Sequence, residues 1–286
     1  MKLLTLTSKL DLEFRIAENT EDLVEWAVTD SNRRYVHPAF LEGRTGLMLQ
    51  GGDIIQKAYT AVFVSDRVVE KILRERNCLL FTHHHFNYYE DERGLQPLSP
   101  ETMEALCRAG HSLYVAHAPL DTHARYGTSI ALAELTGITI EHFFYDYFGA
   151  PTALVGHVTK TGFQDFASRV CKELQRPYLT LQQHRPAVEK VAVAAGGGDL
   201  PDLLQYAYDA GCDTLLTGTV ENRWAVPSFQ ELNRAFHELN TRLKLNLIGG
   251  THFGTERPAM LAVTELFETY GISCEYCEDE LLLEAV

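Results

Sequence analysis

Three short apolar runs in this 286-residue chain end on histidine. Cys78-Leu79-Leu80-Phe81 passes through Thr82 into His83, His84 and His85. Tyr114-Val115-Ala116 ends at His117, with Asp121 four residues on. Leu247-Ile248-Gly249-Gly250 leads through Thr251 to His252, with Glu256 four residues on. Runs of this length bounded by turn residues read as strands rather than helices. Ligands in α/β folds bind beyond the carboxyl ends of strands, where loops diverge. Imidazoles and carboxylates arriving from three strand ends therefore suggest one polynuclear metal site.

The sequence between these runs alternates strands and helices. Tyr59–Val64 reads as a strand, and Ser65 then caps a helix with Val68, Val69, Ile72 and Leu73 on one face. Glu101–Arg108 reads as a helix ending at Gly110, ahead of the strand to His117. Farther on, Lys190–Ala194, Asp213–Thr217 and Leu245–Ile248 read as strands, with helices after Gly196-Gly197-Gly198-Asp199 and over Phe229–Leu239. The expected class is parallel α/β. Each half runs strand, helix, strand, helix, strand and then an H-x-x-x-carboxylate element. That order predicts an internal duplication: two related lobes around a shared dinuclear metal cleft, with His117/Asp121 matching His252/Glu256. Lobe one covers about residues 1–150, a connecting β-α-β piece about 151–188, and lobe two about 189–286. No Pro/Gly/Ser-rich linker parts them, so residues 1–286 are expected to form one domain.

Composition narrows the function classes. A hydrophobic fraction of 45% is ordinary for a globular protein. A net charge of −14 disfavours broad binding to nucleic acid or to an anionic membrane, which require a basic face. It leaves room for a small phosphorylated substrate held through a metal. The start of the chain lacks the apolar region of a signal peptide, and no run approaches the roughly 18–20 residues of a membrane span. A cytoplasmic location and reduced thiols follow as expectations for the six cysteines. Cys274 and Cys277 form a single C-x-x-C on a predicted strand, which reads as strand packing rather than a redox or zinc motif.

Taken singly, the candidate ligands have blander readings. Asp121 would cap a helix over Thr122–Leu135, and Glu256 would sit in the first turn of a helix striped by Val263, Leu266, Phe267 and Tyr270. Their conjunction with the histidines favours metal, because neutral imidazole suits zinc, iron or manganese and a carboxylate can bridge two cations. Gly196-Gly197-Gly198 reads first as a tight strand-to-helix turn, with a phosphate cradle as the alternative. Glu221 and Arg223 read as helix-surface residues as readily as substrate contacts. His111, His123, His142 and His157 have no evident partners in the sequence.

Thr82-His83-His84, Val115–Asp121, Asp213–Gly218 and Gly250–Glu256 together resemble, in order, the signatures of the Nif-three-like proteins, also labelled GTP cyclohydrolase 1 type 2 homologues. The resemblance spans roughly residues 45–278. It implies two related α/β lobes, two divalent metal ions (zinc, iron or manganese) held by His83, His84, Asp121, His252 and Glu256, and assembly as a toroidal homohexamer. Three positions depart from the family pattern. His85 stands where a small residue or Pro is common, Ala118-Pro119 replaces Thr-Asn, and Thr219 stands where an acidic residue is frequent. His85 is expected as an exposed loop residue, with an extra metal ligand or an acid/base group as the alternatives. His117 is expected either as a helper that hydrogen-bonds a ligand or substrate or, equally, as a satisfied, partly buried histidine. The implied activity is hydrolysis of a small molecule, a nucleotide among the candidates, with metal-activated water as nucleophile. The family label points to opening of the guanine imidazole ring of GTP. A small-nucleotide phosphoesterase and a non-catalytic metal-binding scaffold or regulatory partner are the rival readings.

Overall fold

Strand pairing distributes the chain over two main sheets. The computed structural model describes residues 1–18, 27–147 and 149–285. Contacts group them into two units: Met1–Tyr88, Leu95–His123 and Met260–Asp279 in the first, and Tyr89–Gly94, Ala124–Ala259 and Glu280–Val286 in the second.

The chain enters the first unit through α1 (Leu3–Glu13), α2 (Pro38–Gly43) and β1 (Gly46–Leu49). It continues through β2 (Lys57–Ala61), α3 (Asp66–Ile72), β3 (Cys78–Thr82), the short pair β4 (Asn87–Tyr88) and β5 (Leu95–Gln96), α4 (Pro100–Arg108), β6 (Ser112–Val115) and α5 (Ala118–Asp121). Ser65 caps α3 by accepting the Val68 N–H at 3.3 Å, and Ser99 caps α4 from Thr102 at 3.1 Å. Strand β3 is buried along its whole length, so period-two alternation sends neighbours to opposite faces. Leu80 joins Met48, Val68, Ile72, Met103 and Leu113 on one face. On the other, Phe81 meets Phe14, Tyr114 and Phe267 at ring-centroid distances of 5.2, 5.6 and 5.8 Å.

The second unit begins with α6 (Thr128–Leu135), β7 (Thr139–Tyr147), β8 (Ala150–Gly162), α7 (Phe163–Glu173) and β9 (Thr180–Gln182). Then come β10 (Ala187–Ala194), α8 (Pro201–Asp209), β11 (Thr214–Thr217), α9 (Pro227–Leu243), β12 (Asn246–Gly249) and the start of α10 (His252–Thr269), whose residues from Met260 on belong to the first unit. Adjacent strand residues again divide between two cores. Leu154, Val191, Val193, Leu216 and Ile248 pack with Phe163, Phe166 and Val170 of α7. Val155, Ala192, Leu215 and Leu247 pack with Leu203 and Leu204 of α8 and Phe236 of α9. Each fully buried large apolar side chain contributes roughly 1.5–3 kcal/mol. Asp213, ahead of β11, ties the edge of β10 to the sheet, since its Oδ2 accepts the N–H groups of Glu189 and Lys190 at 2.8 and 2.9 Å.

The sheets are mixed rather than purely parallel. In the first, the order is β1-β6-β3-β2-β13, where β13 is Cys274–Tyr276 and only β1 is antiparallel. In the second, the order is β7-β8-β10-β11-β12-β9, with β7, β8 and β9 antiparallel to their neighbours. Hydrophobic alternation reports which face of a strand is buried and carries no information on direction, so these antiparallel strands escape a reading of the sequence. β8, α7 and β9 follow one another as strand, helix and strand, and both strands belong to the second sheet. The series β1-β6-β3-β2 and β9-β12-β11-β10 share order and direction: an antiparallel strand leads in, and three parallel strands follow. Residues Met260–Asp279, late in the chain, belong to the first unit, and α11 (Glu280–Glu284) lies in the second.

All six cysteines are thiols rather than disulfides. Cys277 lies in the apolar core of the first unit, and burial pushes the Cys274 thiol up to about 12, as expected of packing residues. Burial likewise raises Cys212, 1% exposed, to about 12. A raised acid contributes stability that is complete below its unfolded pKa, near 8.5, and is lost as pH rises toward the folded value. Stability should therefore fall between about pH 9 and 12, each such thiol contributing a slope approaching ~1.4 kcal/mol per pH unit. Urea midpoints measured at pH 8 and 10 test this. Cys212→Ala should shrink the difference between them, and an unchanged difference would remove Cys212 as a contributor.

Candidate metal centre

In the first unit the site grows from the ends of β3 and β6. The ladder continues one step past the strands: His84 donates its N–H to the Val62 carbonyl at 2.9 Å, and Ala116 donates to Thr82 at 3.0 Å. This holds the backbone of the histidine pair against its neighbours on both sides. His83 is 0% and His84 3% exposed. The rings of His83, His84 and His117 lie 4.3–4.8 Å apart, and one ring nitrogen from each falls within 4.8 Å of the others. His83 Nδ1 is 3.1 Å from the Ala116 carbonyl oxygen. A carbonyl only accepts, so Nδ1 carries the hydrogen of that bond and Nε2 is the ring nitrogen on the other side. His83 Nε2 faces Asp121 Oδ1 at 3.5 Å.

Apolar rings fix this cluster. Phe63 stacks on His84 at 4.5 Å and 9°, and Phe86 sits 5.0 Å from the same ring. Phe63 lies in the predicted strand Tyr59–Val64, and its apolar character alone gave no sign of this role. His117, expected as a helper, belongs to the donor cluster itself. His85 overturns its expectation of exposure: it is 1% exposed, with Phe40 and Phe86 at 5.6 and 5.0 Å. The loop after β3 turns it into the apolar interior beside α2, and it is not in the three-histidine donor group. Asp121 ends the four-residue helix α5, and the helix expected from Thr122 starts only at Thr128.

In the second unit, His252 opens α10 and Glu256 follows one turn later, as an i,i+4 pair must on a helix. His252 Nε2 and Glu256 Oε1 are 3.1 Å apart, and Glu256 is 3% exposed. The turn after β10 lies against both. An added Cβ on Gly196 would stand 2.3 Å from Glu256 Oε1 and 3.3 Å from His252 Nε2. Gly196 donates its N–H to Thr255 Oγ1 at 3.0 Å, tying the turn to α10. Trp224, 9% exposed, stacks on His252 at 6.1 Å. Asp199 is buried beside these residues. Burial pushes its carboxyl up, opposed by hydrogen bonds from Asn233 and Asn222.

The five expected ligands thus fall three on the first unit and two on the second. The match between the two H-x-x-x-carboxylate elements is shifted by one residue: His117 precedes the first residue of α5, whereas His252 is the first residue of α10. Thr251, in the left-handed region at φ 63°, supplies the extra step. Glu221 and Arg223 lie in the loop before α9 rather than on it. Three of the other histidines have partners: His111 Nδ1 accepts the Cys78 N–H at 3.1 Å, His123 faces Glu13 at 3.4 Å, and His157 faces Glu141 at 3.4 Å. No helix among the described residues is long and apolar enough to cross a membrane.

Two mixed α/β sheets, with histidine and carboxylate groups that could hold a metal ion, define the class of the chain. The chain belongs to the Duf34/NIF3 (NGG1p interacting factor 3) family, whose profile matches residues 41–277. A relative from Deinococcus radiodurans, named GTP cyclohydrolase 1 type 2 homolog, is 28% identical over 235 residues, covering 81% of this chain and 83% of that protein. Among solved structures, the ybgI protein, described as of unknown function, superposes with a TM-score of 0.72 at 21% identity, covering 96% of this chain and 97% of its own. TTHA1606 from Thermus thermophilus gives 0.68 at 21% identity, with 98% of each chain covered. These two likenesses establish the fold.

Proposed function

We propose that this protein is a metal-dependent hydrolase, with His83, His84 and Asp121 of the first unit and His252 and Glu256 of the second as ligands of divalent cations. The observation that carries the reading is the cluster of buried His83 and His84 with half-buried His117, three imidazole nitrogens within 4.8 Å of one another. Imidazoles gathered without a cation gain little from one another, whereas as neutral donors they suit zinc, iron or manganese. The chemistry two such cations supply is acidification of water and neutralisation of charge developing on the substrate.

The chain's own residues prepare that site. The Ala116 carbonyl fixes the tautomer and orientation of His83. Phe63 and Phe86 hold His84 and keep bulk water from its ring faces. His117 stands beside the donors to accept or return a proton, or to complete the ligand set. The shared order of the two strand series supports an origin by duplication, with each half contributing ligands. The name carried by relatives makes GTP the first substrate to test. Six reduced thiols suit the cytoplasm, and the family resemblance suggests a homohexamer.

The decisive measurement is metal analysis of purified protein followed by turnover assays with GTP and other nucleotides. About two metals per chain and turnover that follows metal content are expected. No turnover with zinc, iron or manganese on any nucleotide would reject the hydrolase.

A further inference from the structure

We infer that the Gly196-Gly197-Gly198 turn, the N-terminus of α8 and the Thr217 hydroxyl form a subsite for a phosphate group of a small-molecule substrate. The inference deepens the hydrolase reading and rests on it, because it names the substrate class of the same site.

The two strand series provide an internal comparison. Ala61 pairs with Thr82 in the first sheet, and Ala194 pairs with Thr217 in the second. Two residues past Ala61, the first unit has Phe63, stacked on His84, and Ser65 then caps α3. Two residues past Ala194, the second unit has three glycines instead, and α8, nine residues long, begins with no side-chain cap. One turn is filled and capped, and the other is stripped of side chains.

The fold itself accounts for two of those glycines. Gly196 has φ 71° and lies against Glu256, so a side chain there is excluded twice. A Cβ on Gly198 would stand 2.1 Å from Thr217 Oγ1. Gly197 differs. Its φ is not in the left-handed region, it is exposed, and a Cβ there would meet only His252 Cε1, at 3.9 Å. Neither backbone nor packing requires glycine at 197. Glycine there leaves the backbone beside His252 open to a ligand.

Thr217 is the independent observation. Its side chain is 0% exposed, and Oγ1 has no hydrogen-bond partner among the described residues. Its contact with Gly198 aims that hydroxyl at the turn. A buried hydroxyl that the fold leaves unpartnered is available to a ligand where the turn beside it carries no side chain. The uncapped start of α8 adds the partial positive charge and N–H groups that favour anions, with Pro201 at its first position. Three carboxylates oppose a free anion. Asp199 is already bonded to Asn233 at 2.9 Å, Asp202 lies in the first turn of α8, and Glu256 is a proposed ligand. A phosphate reconciles these demands, because one oxygen can face the turn while another faces a cation.

The test is calorimetric titration of purified, metal-containing protein with inorganic phosphate, pyrophosphate, GTP and guanosine. It compares wild type with Gly197→Val and the isosteric Thr217→Val, with metal content measured on each. Both variants should keep wild-type metal and bind phosphate and pyrophosphate about 10-fold more weakly, Thr217→Val by losing one good hydrogen bond and Gly197→Val by blocking the approach to the backbone. Equal affinity in Thr217→Val at wild-type metal content would overturn the subsite, since phosphate would then be held by metal alone. So would guanosine binding as tightly as GTP. Wild-type protein that holds no metal would count against the hydrolase reading instead.

Discussion

The His84→Ala variant is expected to lose at least about 100-fold in metal affinity and to stay folded. Removing a group that only orients a metal ligand already costs about 10–100-fold, and His84 is proposed to donate directly. The imidazole also fills space under Phe63, at 4.5 Å and nearly parallel, so its loss leaves a cavity worth about 2 kcal/mol. The two effects are separated by the neighbouring residue. His85 packs near Phe40 and Phe86, outside the three-histidine donor group, so His85→Ala should lose similar stability and keep its metal. Metal-to-protein ratios after dialysis against a chelator series, with melting curves for each variant, provide the comparison. Equal retention by His84→Ala and wild type would remove His84 from the ligand set.

That contrast between adjacent histidines marks the limit of what the sequence discloses. The strands carrying the site were readable, because Leu79–Phe81 and Leu247–Ile248 are apolar runs of strand length ahead of polar residues. The donor types were readable for the same reason: histidine and carboxylate at strand ends have few structural uses in combination. Burial of His85 was not readable, since one residue at a strand end can turn to either side and tertiary packing against α2 decides. The membership of His117 in the donor cluster depended on β6 pairing beside β3, a long-range choice. Phe63 had no signature at all, because a stacking aromatic and a core aromatic look alike in sequence. The direction of β1 and β9 was equally hidden, so the sequence disclosed the shared order of the two halves but not the antiparallel strand that leads into each. Glycines were the opposite case: Gly196-Gly197-Gly198 announced a turn, but only the contacts distinguish which of the three the fold demands.

Gly196→Ala is expected to be the most damaging single change in the second half-site, and Gly211→Ala separates its two causes. Both glycines have positive φ, 71° and 79°, so alanine at either incurs a left-handed backbone cost of roughly 1–2 kcal/mol. A Cβ at Gly211 meets nothing within 4 Å, whereas one at Gly196 falls 2.3 Å from Glu256 Oε1 and 3.3 Å from His252 Nε2. Strain alone therefore predicts equal loss of stability and intact metal binding in the two variants. Contact predicts more. The new methyl must push the Glu256 carboxylate away or distort the turn that Thr255 holds through the Gly196 N–H. Displacing a donor by even about 1 Å can cost on the order of 100-fold in a site that depends on geometry. Metal affinity should accordingly fall at least about 10-fold in Gly196→Ala and remain at the wild-type level in Gly211→Ala. Parallel losses in both variants would mean that the turn matters for folding only and that Glu256 does not need its position beside Gly196 to hold metal.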